Sequence, residues 1–67
     1  MMSKVRRAIG DSVRRFRLKR DLTQEQAAAL CEMDVRLYGK VERGVENYEM
    51  KTLEKVLNGL SMSREDF

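Results

Sequence analysis

The chain has 67 residues, 14 Lys+Arg against 11 Asp+Glu for a net charge of +3, one cysteine, and no histidine, proline or tryptophan. That length predicts a single domain over residues 1–67, with a core supplying only roughly 3–5 kcal/mol, so self-association is an attractive way to add buried surface. Without histidine and with a single cysteine the usual metal clusters, an internal disulfide and the Ser-His or Cys-His catalytic pairings cannot be assembled, which argues against an enzyme and predicts no metal or cofactor.

Charge is unevenly placed. Residues 1–20 carry eight Lys/Arg and only Asp11, whereas residues 21–67 carry six Lys/Arg against ten Asp/Glu. An anionic partner is therefore expected to meet the N-terminal segment and selected basic positions beyond it, the bland alternative being a solvated surface. Ser3 to Arg20 reads as one long helix, because Val5, Ile9, Val13 and Phe16 form an apolar stripe with Arg6, Arg7, Arg14, Arg15 and Lys19 on its other sides. Such a helix could also lie on an anionic membrane, but the stripe is narrow and further patterned helices need it as a wall. No run of eighteen apolar residues and no charged-then-apolar leader is present, so a cytoplasmic protein without membrane association is expected.

Asp21 and Leu22 end that helix, with Leu22 turned inward. Thr23 and Gln26 have the spacing of a capping box and open a second helix. Ala27, Ala28, Cys31, Met33, Tyr38 and Val41 keep one face inward on both sides of a tight interruption at Glu32 to Asp34. Cys31 and Met33 are thus read as core. Asp34 caps a third helix that runs to Arg43, where Gly44 takes the left-handed stop. Two short helices joined by so tight a turn, over Thr23 to Gly44, make a candidate reader of the DNA major groove. Val45 to Glu49 is a polar connection. Met50, Leu53, Val56, Leu57 and Leu60 mark a fourth helix whose last turn Asn58-Gly59 weakens, and Ser63 with Asp66 marks one short final turn. The fold class expected is all-α and compact, with four to five helices.

Arg17, the Leu-Thr-Gln-Glu run at Leu22 to Glu25, the Val-Glu-Arg-Gly run at Val41 to Gly44 and the ending from Leu60 to Phe67 together resemble the phage-repressor/Cro (XRE) type of helix-turn-helix DNA-binding domain, from about Ile9 onward. Gly39 and the segment from Glu42 to Asn47 are most similar to short restriction-modification controllers. The resemblance implies a lambda-repressor-like fold and a transcriptional regulator that binds double-stranded DNA, a pseudo-palindromic operator, as a homodimer. The runner-up is a protein-interaction module, such as an antitoxin or phage adaptor, using the same fold. The family places glycine where this chain has Asp21 and Glu32, and a branched aliphatic residue where it has Tyr38. A non-glycine residue at positive φ costs roughly 1–2 kcal/mol.

In that geometry the third helix presents its first turns to base edges. Arg36 is the candidate base reader, its fork matching guanine O6 and N7, with a phosphate clamp or a solvated arginine as the alternatives. Lys40 suits guanine or phosphate equally. Val35 offers apolar contact to a thymine methyl, and Gly39 either permits close approach to DNA or simply tolerates tight packing. Thr23 and Gln24 at the start of the second helix, with Arg43 and Asn47 beyond the third, are expected to position the domain on phosphates, and the resemblance puts a phosphate-contacting glutamine at Gln24. Among the N-terminal basic residues Arg14 and Arg15 are favoured over Arg6 and Arg7. Arg17 and Glu42 match the family's interhelical ion pair. The expected dimer contact is the apolar surface of Val56, Leu57, Leu60, Met62 and Phe67, and no small-molecule ligand is expected.

Overall fold

The computed structural model describes residues 4–45 and 48–62. Four helices follow in order: α1 (Lys4–Lys19), α2 (Gln24–Leu30), α3 (Val35–Arg43) and α4 (Met50–Gly59), with no strand among the described residues. Thr23 accepts from the Gln26 N–H at 3.1 Å while the Gln26 amide oxygen accepts from the Thr23 N–H at 2.8 Å, so the capping box is complete in both directions. The Asp34 carboxylate accepts from the Arg36 N–H at 2.8 Å and starts α3. The expected final turn at Ser63 to Asp66, like Phe67 and Asn47, lies outside the described residues.

All four helices stop in the same way. Asp21, Glu32, Gly44 and Ser61 adopt left-handed φ values of 56°, 54°, 71° and 57°. At each stop that residue's N–H reaches back three residues, to Leu18, Ala29, Val41 and Asn58. The next N–H, from Leu22, Met33, Val45 or Met62, reaches back five, to Arg17, Ala28, Lys40 or Leu57. These paired bonds are the Schellman arrangement, which satisfies carbonyls that a helix end leaves open. Only one of the four has the glycine the conformation favours. Glu32 therefore closes the tight turn in the ordinary left-handed way, and α4 runs through Gly59 to stop at Ser61. Replacing Glu32 by glycine should remove a left-handed cost of about 1–2 kcal/mol against an entropic loss of about 0.5–1 kcal/mol. Glu32→Gly is expected to stabilise the fold by up to about 1.5 kcal/mol, read as a higher urea midpoint at unchanged m; a lower midpoint would show that Glu32 is not strained.

Packing centres on α3, which lies against α1 and α2, while α2 also meets α4. Val13, Ala27, Ala28, Cys31, Tyr38, Val41, Tyr48, Leu53, Val56 and Leu60 form the buried cluster. Tyr38 is fully buried, in the same cluster as the small Ala27 and Ala28. Its neighbour Cys31 is also enclosed, its thiol 3.7 Å from the Val56 carbonyl and made harder to ionise by burial.

Three expectations fail here for reasons of tertiary placement. Val5, counted in the α1 stripe, is 67% exposed, although its neighbours Arg6 and Arg7 in the same turn meet Tyr48 and Gly44. The connection before α4 is not wholly polar in role, since Tyr48 is buried. Arg6 holds it, donating to the Tyr48 carbonyl at 3.3 Å and lying 4.5 Å from the ring centre. Val56 and Leu60 are fully buried inside the domain and cannot form a dimer contact, while Leu57 and Met62 are only half-buried.

α1 approaches α3 unusually closely. A Cβ at Gly10 would lie 2.5 Å from the carbonyl oxygens of both Val41 and Glu42. At the end of α3, the left-handed Gly44 sits so near the first turns of α1 that its Cβ would fall 2.6 Å from the Arg7 Cα. These two glycines set how α1 seats against the third helix.

Candidate nucleic-acid interface

The two halves of the site are α2, a seven-residue helix, and α3, a nine-residue helix, joined by the turn at Cys31 to Asp34. The inward side of α3 is occupied by Tyr38, Val41 and Glu42, all buried. At about 100° per residue, Lys40, Arg43 and Gly39 fall within about 60° of Arg36 around the helix axis, opposite that buried side. Arg36 and Arg43 are exposed and Lys40 is half-buried. Three cations thus share one outward face, with no carboxylate on that arc of α3.

Not every predicted position joins that face. Val35 and Leu37 are half-buried and pack against the core cluster, so Val35 offers DNA only part of its side chain. Gly39 is buried despite its outward position. Thr23 and Gln24 lie exposed at the start of α2, Thr23 engaged in the capping box. Arg14 and Arg15 are exposed on α1, Arg15 donating to the Ser12 hydroxyl at 3.3 Å.

The orientation of α3 is held by one buried carboxylate. Arg17 donates to Glu42 twice, Nε to Oε2 at 2.7 Å and Nη2 to Oε1 at 3.2 Å, and its Nη1 donates to the Leu22 carbonyl at 2.8 Å. Gln24 Nε2 donates to Glu42 Oε1 at 3.1 Å. Glu42 therefore ties the end of α3 to α1, to the first interhelical turn and to the first residue of α2. Side-chain exposures of 9% for Arg17 and 3% for Glu42 place the pair in the interior. Burial alone would raise the Glu42 carboxyl, but the bonds from Arg17, together with Tyr38 and Gln24, outweigh it and hold the group below the usual carboxylate range. The bond to Glu42 likewise raises Arg17. Tyr38 is pushed well above the usual phenol range, by burial first and then by Glu42. Its buried hydroxyl lies near enough to sense both charges without completing a hydrogen bond of standard geometry.

The ion pair was legible through the family motif. The Gln24 link was not, because a glutamine at the start of a helix reads from sequence as an exposed donor. Gly10 was also missed, since a glycine inside a periodic helix carries no sign of what faces it.

Among the described residues no helix is long and apolar enough to cross a membrane. The helix-turn-helix family profile matches residues 13–67. No curated protein matches the sequence. Among solved structures, the restriction-modification controller protein C.AhdI from Aeromonas hydrophila is similar at 30% identity, with a TM-score of 0.81 over 97% of this chain and 100% of that one. The wild-type restriction-modification controller protein C.Esp1396I is 27% identical, with a TM-score of 0.79 over 94% of this chain and 82% of that one. The clp gene regulator ClgR from C. glutamicum, 24% identical, shares the fold with a TM-score of 0.79 over 98% of this chain and 85% of that one. With the Arg17–Glu42 tie in place and the family profile spanning α2, α3 and α4, the chain belongs to the helix-turn-helix DNA-binding family of the phage-repressor/Cro (XRE) type.

Proposed function

We propose that the chain is a sequence-specific transcriptional regulator that binds a pseudo-palindromic operator in double-stranded DNA as a homodimer, in the manner of a restriction-modification controller. The observation that carries this reading is the outward face of α3, where Arg36, Lys40 and Arg43 project from a helix whose inward side is locked to α1 and α2 through Glu42. The similarity to two controller proteins supports the choice of partner. In a major groove the first turns of α3 would meet base edges, with Arg36 donating to guanine and Lys40 to guanine or phosphate. Thr23 and Gln24 flank that helix and would meet the backbone. Gln24 would do so while leaving or sharing its bond to Glu42, which couples phosphate contact to the tie that orients α3. Asn47 keeps its expected phosphate role as part of the proposal. Two copies on an operator would place their recognition helices about 34 Å apart, or a multiple of that.

Fluorescence anisotropy tests this with duplex DNA from upstream of the chain's own gene and a scrambled duplex, each titrated over a range of salt. Operator binding should show sequence preference and a steep loss of affinity with salt. Arg36→Ala should reduce preference by about 1–3 kcal/mol, whereas Gln24→Ala should weaken both duplexes alike. Equal, weak affinity of the parent protein for the two duplexes would reject the regulator and favour the protein-interaction module. A monomer by sedimentation equilibrium on operator DNA at micromolar concentration would reject the homodimer.

A further inference from the structure

Gly39 presents a contradiction within α3. It lies on the outward arc with Arg36, Lys40 and Arg43, yet it is buried. Beyond the helix backbone and the adjoining residues Tyr38 and Lys40, a Cβ built on it would meet within 4 Å only the Arg43 guanidinium, with Nη1 at 3.1 Å and Cζ at 4.0 Å. The side chain of Arg43 thus lies over Gly39, folded back toward the start of the helix as long helical side chains do. That fold carries the guanidinium one turn, about 6 Å, back from its own Cα. Glycine inside a helix is otherwise unfavourable by about 1 kcal/mol relative to alanine, and here no backbone approach or left-handed φ requires it.

We infer that Gly39 is a positioning residue for Arg43: its bare backbone is the seat on which the Arg43 guanidinium lies, which makes Arg43 a reader of base edges inside the groove and not a phosphate contact beyond the helix. The inference rests on the operator-binding reading. It assigns Arg43 a place beside Arg36, on the side away from Lys40 and at the level of Gly39, where a planar fork reaches the same stretch of groove that the first turns of α3 enter. It also revises the role of Gly39, whose missing side chain makes room for a guanidinium, not for DNA.

The test selects bound sequences from a randomised double-stranded DNA library with the parent protein, Arg43→Lys, Arg43→Ala, Gly39→Ala and the double variant G39A/R43A, after urea unfolding has confirmed that each is folded. Arg43→Lys keeps the charge but loses the fork. It should flatten base preference at particular positions by roughly 5- to 150-fold while leaving the salt slope nearly unchanged. Gly39→Ala should flatten the same positions, although it should be no less stable than the parent. In the R43A background, adding G39A should change affinity less than two-fold, since the seat has no occupant. Retained preference in Arg43→Lys, or an equal loss from Gly39→Ala with and without Arg43, would overturn the inference while leaving operator binding intact; the second result would mean that the added methyl strikes DNA directly. A parent protein that selects no sequence would reject operator binding and this assignment with it.

Discussion

Glu42→Ala is expected to lower the unfolding free energy by about 3–5 kcal/mol, the range found when one partner of a buried ion pair is removed. The loss has two sources. Arg17 is left with its guanidinium enclosed and its Nε and Nη2 donors without an acceptor, and the Gln24 amide loses the carboxylate that it shares with them. Because a domain this small is held by roughly 3–5 kcal/mol in all, much of the variant should be unfolded at room temperature, visible as lost helical circular dichroism. Glu42→Gln keeps the shape and one acceptor and should lose less. An R17M/E42L double variant removes the stranded charge and should recover much of the loss, since well-packed apolar replacements of a buried pair are often neutral or better. A stability for Glu42→Ala within 1 kcal/mol of the parent, roughly the worth of an exposed pair, would show that the pair contributes no more than a surface bridge.

The same carboxylate predicts the response to acid. Its folded-state value lies below the ordinary range, so the unfolded chain binds its proton first as pH falls. The contribution is fully present above the ordinary carboxylate value, declines as pH drops below it, and is gone once the depressed folded value has been passed. Urea midpoints measured from neutral pH downward should fall through that window in the parent and be flatter in R17M/E42L, where this group no longer titrates.

Gly10→Ala is the second large effect, and its sign is opposite to what helix propensity alone indicates. In an isolated α1 the change would help by about 1 kcal/mol. In the folded domain the new Cβ would sit 2.5 Å from two backbone carbonyl oxygens of α3, and 2.9 Å from the Glu42 carbonyl carbon. Backbone atoms cannot rotate aside, so α1 and α3 must separate. Overpacking of this kind costs typically 1–3 kcal/mol, and the clash is with the residue that forms the ion pair, so the Arg17–Glu42 geometry is disturbed as well. A net destabilisation of about 1–3 kcal/mol is expected by urea unfolding, and if α3 enters the groove as proposed, DNA binding should weaken because the seat of that helix moves. A more stable Gly10→Ala would mean that the helices do not approach as closely as described.

The sequence by itself determined the local punctuation of this protein. The Thr23–Gln26 box, the Asp34 cap and the left-handed Gly44 all depend on residues no more than a few positions apart, and each is where the spacing puts it. Periodicity identified the helices, and the family motif identified Arg17 with Glu42 across 25 positions. What only the tertiary structure decided is which side of each apolar residue meets a neighbour and how near that neighbour comes. Val56 and Leu60 turned out to be interior and Val5 exposed because helical spacing defines a stripe without saying where its partner begins and ends. Arg6 was committed to Tyr48 across 42 positions, and the left-handed stops at Asp21, Glu32 and Ser61 were held by helix-end hydrogen bonds although none is glycine. Gly10 and Gly39 look alike in the chain, each a glycine within a helix. One is a crossing point for two backbones and the other a seat for a side chain, a difference set by what lies opposite in space and invisible to any pattern along the sequence.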